Sequence, residues 1–264
     1  MRETKSRTLL ATMTQEPFQP VRLYYSIPDR AFVTEKLRAL QCMVEVPAER
    51  CWQWLFHAEA ASLRFRGGYD DVPKERRPIV LARLRFPRND GMTLQTNSFD
   101  RAIGAARFLA PRLGKEVVAM RCRVVNRLFA AEEGLPVELM KTLDQDVTVI
   151  DPRHAEAAYE RDFAGVRTMQ DFEHVAAERI KHKLESKDDV PVVEDFPLAP
   201  EEETPDFSYL STTLRFRAVR AIEHWRGNTH LTLTAIIVRT VEQGRVGDSP
   251  EGPAPGAAPR EPAA

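Results

Sequence analysis

The chain has 264 residues, 43% of them apolar and 29% charged, which suits a folded globular core and excludes disorder of the whole chain. Its 38 Lys and Arg against 39 Asp and Glu leave a formal charge of -1, so bulk charge draws it neither to nucleic acid nor to membranes, and only a local patch could. No apolar run reaches the length of a membrane-spanning helix, and the segment after Arg2, Lys5 and Arg7 is too short and polar for a secretion signal, so a cytoplasmic protein with no membrane role is expected.

Residues 1–18 show no apolar period and read as an irregular leader. Residues 21–25 read as a strand stopped near Pro28, and the stretch 37–46 fits strand or helix, with 43–46 favouring strand. Pro47 suits a first helical turn, and Cys51, Trp52, Leu55, Phe56 and Leu63 recur at spacings of three and four. That pattern predicts a helix ending at Gly67 and Gly68.

A strand is expected over 79–86, a turn at Asn89-Asp90-Gly91, and a returning strand over 92–95. Asn97 or Ser98 can cap a helix whose buried stripe is Phe99, Ala102, Ile103, Ala106, Leu109 and Leu113, with Gly114 as its stop. A long strand follows over 116–129, a short one over 147–150, and a helix near 154–162. Thr168 and Asp171 have the spacing of a reciprocal cap for a further helix, lined on one side by Phe172, Ala176, Ile180 and Leu184.

Residues 188–206 hold eight carboxylates, no Lys or Arg, and four prolines, the composition of an extended acidic linker. Segments 212–225 and 229–240 are rich in β-branched residues, and Arg226-Gly227-Asn228 between them predicts a β-hairpin. Beyond residue 244, Gly, Pro, Ala and charge predict a disordered tail. The organisation expected is a leader at 1–18, a main region at 19–187, a linker at 188–209, a hairpin at 210–243 completing the main domain, and a tail at 244–264. The fold class is α+β: a mixed or mainly antiparallel sheet, helices packed on one face, and a C-terminal β-hairpin.

Arginine alternates with apolar residues in three expected strands. Arg83 and Arg85 flank Leu84, Arg121 and Arg123 flank Cys122, and Arg215 and Arg217 flank Phe216. Side chains alternate faces along a strand, so a shared sheet would bury the apolar set and present up to six guanidiniums, extended by Arg127 and Arg220. Such a face suits phosphates and single-stranded RNA or DNA. The linker carboxylates offer an internal competitor for it.

No catalytic constellation stands out. Cys42, Cys51 and Cys122 form no CxxC pair, the six histidines form no HExxH, and GxSxG, GxGxxG and GxxxxGK[ST] are absent. No cofactor and no metal site are expected, although Asp144, Asp146 and Asp151 around one expected strand could hold a divalent cation. The leading expectation is a non-enzymatic binding or interaction protein with an unidentified protein partner, of the kind found as a component of a multiprotein assembly. Nucleic-acid binding through the arginine face stands second, and a phosphate-processing or metal-dependent hydrolytic enzyme third. Nothing in the sequence specifies the oligomeric state.

Overall fold

Leu23 and Tyr25 alternate with Arg22 and Tyr24 along β1 (Val21–Ser26), burying the first pair and leaving the second partly open. The same parity runs across a whole sheet in the computed structural model, which describes residues 7–147, 157, 160–185, 190–198 and 207–242. Its other strands are β2 (Met43–Val46), β3 (Cys51–Leu55), β4 (Val80–Arg88), β5 (Gly91–Thr96), β6 (Val118–Val125) and β7 (Val193–Pro197). They lie in the order β2-β3-β4-β5-β1-β6-β7, with every neighbouring pair antiparallel.

Two split crossovers set this order. β1 leads through α1 (Arg30–Arg38) and the β2–β3 pair to β4, beyond β5; β5 leads through α2 (Phe99–Leu113) to β6, beyond β1. Both helices start on side-chain caps. Asp29 accepts from Phe32 N at 2.8 Å, and Ser98 Oγ accepts from Arg101 N at 3.1 Å. Gly114, at φ 91°, ends α2 as expected, since that left-handed backbone favours glycine.

The helices cover one face of the sheet. Val33 and Leu37 of α1, Phe99, Ala102, Ala106 and Leu109 of α2, and Leu210 and Leu214 of α5 (Ser208–Trp225) join Leu23, Trp52, Trp54, Leu84, Leu94, Cys122 and Phe196 in the main core. On the other face, at the β6–β7 end, Phe18, Val125, Phe129, Leu143 and Val193 form a second, smaller cluster. No described helix is long and apolar enough to cross a membrane. Further helices among the described residues are α3 (Pro136–Leu139), α4 (Met169–Glu185) and α6 (Leu233–Glu242), and residues 157 and 160–163 are also helical.

Two expectations are corrected. The helix from Pro47 is replaced by a short 3-10 turn, Pro47–Glu49, a left-handed Arg50 at φ 50°, and the strand β3. Trp52, Trp54 and Phe56 all lie on the core side, so period two outcompetes the three-and-four spacing, and β2 and β4 pair with β3 on both edges. The C-terminal β-hairpin is also absent: Thr212 to Trp225 are helical in α5, and 233–242 form α6. Arg226-Gly227-Asn228 is a helix stop, with Gly227 at φ 98°. Gly227 N donates to His224 O at 3.1 Å and Asn228 N to Glu223 O at 3.0 Å, the bond pair of a Schellman motif.

The segment 7–18 has only isolated bridges, Leu9 to Ala130 and Ala11 to Pro17, yet it is anchored in the fold. Glu16 and Arg101 form a buried ion pair with Nε to Oε1 at 3.2 Å. Thr12 and Thr14 hydroxyls donate to the other Glu16 oxygen, and Thr14 Oγ1 and Asn97 Oδ1 accept from Arg101 at 2.7 and 2.9 Å. All but residue 147 of the strand expected over 147–150, residues 154–156, 158 and 159 of the helix expected near 154–162, much of the acidic segment and the tail expected from 244 lie outside the described residues, while 157 and 160–162 are helical.

Candidate nucleic-acid interface

Strand register turns the alternating arginines into two rows on the face opposite the main core. Gln53, Arg83, Gln95, Arg22, Arg123 and Asp195 lie side by side from β3 to β7. One step along, Arg85, Thr93, Tyr24, Arg121 and Pro197 form the second row. Adjacent strands lie ~4.8 Å apart, so Arg83 and Arg123 are roughly 14 Å apart across the sheet.

Four of the eight arginines singled out by pattern therefore share this face: Arg83, Arg85, Arg121 and Arg123. Arg22 joins them, although β1 carries no second arginine to reveal the pattern. Arg215, Arg217 and Arg220 do not, because they lie on α5. Arg215 is exposed, while Arg217 and Arg220 are buried. Arg217 grips Glu194 of β7 with both Nε and Nη2, at 2.8 and 2.6 Å, on the helix-covered face. Burial raises the Glu194 pKa, but Arg217 outweighs it and the net shift is downward. Arg127 lies beyond the end of β6, paired with Glu133 at 2.7 Å and set over the Phe129 ring.

The acidic segment meets the arginines edge-on, as β7. Asp195, fully enclosed, receives Arg121 Nη1 at 3.0 Å and Arg123 Nη2 at 2.8 Å through Oδ2. Arg123 Nη1 also donates to Leu143 O at 3.0 Å, fastening the 140–144 turn over the β6 end of the face. Asp144 of that turn pairs with Arg22 at 2.7 Å, and Gln95 Oε1 takes the same Arg22 nitrogen at 3.2 Å. Burial opposes the Arg22 cation, but Asp144 and Tyr24 outweigh it and raise its pKa.

Toward β4 the face opens. Arg83 is 47% exposed and reaches Glu49 only at 3.5 Å. Arg85 is exposed and enters no ion pair among the described residues. Five guanidiniums face three carboxylates, Glu49, Asp144 and Asp195, so positive charge remains in excess and is concentrated at Arg83 and Arg85. Tyr24 lies at the centre on β1, half-buried, with the Arg121 guanidinium 4.0 Å from its ring centroid. Sequence parity overlooks this aromatic because it compares Phe86 and Phe216 with the arginine strands and leaves β1 out.

The rest of the chemistry is quiet. Burial raises the pKa of all three thiols, with Cys42 pushed up to about 12, so none is an activated thiolate. Asp144 is held by Arg22, Asp146 is exposed, and Asp151 lies outside the described residues. No group of three or more His, Cys, Asp or Glu poised to hold a metal occurs among the described residues. Comparison with protein-family models, curated proteins and solved structures returns no match.

Proposed function

We propose that the protein is a non-enzymatic binding protein that holds single-stranded nucleic acid across the open part of its sheet. The observation that carries the reading is the placement of Arg83 and Arg85 on the open part of the face that also holds Tyr24 and Arg121. Guanidiniums supply contacts to phosphates, and a half-exposed ring supplies a stacking surface that any base can use. Neighbouring strands spread these groups along a line across the sheet, which matches an extended strand better than a duplex groove.

An acidic protein segment could use the same arginines but would gain little from Tyr24. Titrating fluorescent single-stranded RNA and DNA against wild type, Arg83→Glu with Arg85→Glu, and Tyr24→Leu separates the two. Nucleic acid predicts salt-sensitive binding lost in the first variant and weakened in the second. Equal affinity in all three proteins rejects the site.

A further inference from the structure

Among the described residues, α4 carries a row of exposed apolar side chains. Met169, Phe172, Ile180 and Leu184 are 73%, 40%, 43% and 42% exposed, although all four belong to one helix. With Ala176 they occupy an arc of about 120° at 3.6 residues per turn. The helix start is well formed: Thr168 N donates to Asp171 Oδ2 and Asp171 N to Thr168 Oγ1, both at 3.1 Å. The exposed stripe therefore belongs to a helix with a reciprocal N-terminal cap.

One edge of the stripe is already occupied. Phe163 packs on Phe172 with centroids 5.0 Å apart, and Asp162 pairs with Arg179. Toward the other edge Glu173 falls between Ile180 and Leu184 in angle and Lys181 lies beyond Leu184, and neither enters an ion pair among the described residues. Along the helix the stripe runs bulky, bulky, small, bulky, bulky, centred on Ala176.

We infer that α4 binds α4 of a second copy of this chain, antiparallel, about a two-fold axis near Ala176. Reversal about that point sets Phe172 against Ile180 of the second copy and Met169 against Leu184. The small Ala176 side chains meet at the axis and allow close approach. The same reversal brings Glu173 of each copy to Lys181 of the other, twice by symmetry. A parallel two-fold pairing would instead place Glu173 and Lys181 of the two copies on opposite sides of the contact, losing that complementarity. One pair of 17-residue helices buries less than the ~1,200–2,000 Å² of a standard stable interface, so the dimer is concentration-dependent. This inference is independent of the sheet face and stands or falls separately from it.

Sedimentation equilibrium of the full chain over a concentration series tests it. Wild type is expected to dimerise, and Ile180→Glu with Leu184→Glu, both at exposed positions, to weaken dimerisation by at least about tenfold with unchanged circular dichroism. Glu173→Lys is expected to weaken it, and addition of Lys181→Glu to restore it. Ala176→Cys supplies a second readout, because Cys42, Cys51 and Cys122 are buried. A short bifunctional maleimide should link two copies of that variant and none of wild type. A monomeric wild type, a dimer indifferent to the Ile180 and Leu184 changes, or an unlinked Ala176→Cys protein overturns the proposal.

Discussion

Asp195 and Arg123 face each other across the β6–β7 pair, and the carboxylate is fully enclosed while its Oδ2 receives Arg123 Nη2 at 2.8 Å. The same oxygen receives Arg121, so one buried charge sets the direction of two guanidiniums on the candidate face. Charge reversal at Arg121 or Arg123 would leave Asp195 beside a like charge and threaten folding. Arg83 and Arg85, exposed and less constrained, are the informative positions for binding.

Asp195→Asn separates the two roles of that carboxylate. It should lower stability by about 1–3 kcal/mol, because a charge-assisted contact to two arginines is weakened inside the sheet. It should also raise affinity for single-stranded nucleic acid, because Arg121 and Arg123 lose their counter-charge. Urea denaturation and oligonucleotide titration of the same preparation check both effects, and an affinity that falls along with stability contradicts the assignment.

The Glu16–Arg101 pair makes a second demand. Arg101→Met leaves a carboxylate with no exposed surface beside two threonine hydroxyls and without its cation, which should cost about 3–5 kcal/mol. Adding Glu16→Gln should recover part of that loss, because the buried charge is gone. Chemical denaturation of the two variants measures the difference, and a neutral Arg101→Met would show that the amino-terminal segment is not anchored through this pair.

These two ion pairs mark the boundary of what is legible in the sequence. β1, β4, β5, α2 and the Thr168–Asp171 cap follow from local signals: alternation, a turn tripeptide, and capping residues at fixed spacings. Glu16 and Arg101 are 85 residues apart, and only the fold brings them together. β3 fails locally because Cys51, Trp52, Leu55 and Phe56 satisfy a helical period as well as a strand; pairing with β2 and β4 decides it. The β-branched content of 212–225 points to strand, whereas buried Leu210, Leu214, Arg217 and Ala221 show the helical period once α5 lies on the sheet. Four of the five arginines on the face are visible from alternation. Arg22 and Tyr24 are not, because their membership depends on β1 lying between β5 and β6.

Gly227 tests the helix stop that replaces the expected hairpin. Its φ of 98° is costly for any residue with a Cβ, so Gly227→Ala should destabilise the protein by about 1 kcal/mol. A thermal melt of the variant checks this; an unchanged midpoint would contradict the left-handed stop between α5 and α6.

Glu59 gives a pH signature. Burial raises its pKa, but the backbone N–H groups of Gln41, Glu59 itself and Cys42 outweigh that and hold it at about 2, against an ordinary 4.5. A carboxylate depressed in the folded state contributes stability above its unfolded pKa and loses it as pH falls through the folded one. The stability gap between wild type and Glu59→Gln should be full above about pH 4.5 and shrink toward pH 2. Urea midpoints taken across that window check the sign, and a gap that widens on acidification contradicts it.

The most direct test of the central claim is the salt dependence of single-stranded RNA binding by wild type and by the protein carrying Arg83→Glu and Arg85→Glu. The account predicts measurable binding by wild type at low salt, with log affinity falling as log salt rises at ~0.7 per phosphate contacted. The variant, folded as judged by an unchanged urea midpoint, should bind far more weakly and with a shallower slope. Equal affinity and equal slope in the two proteins would contradict it.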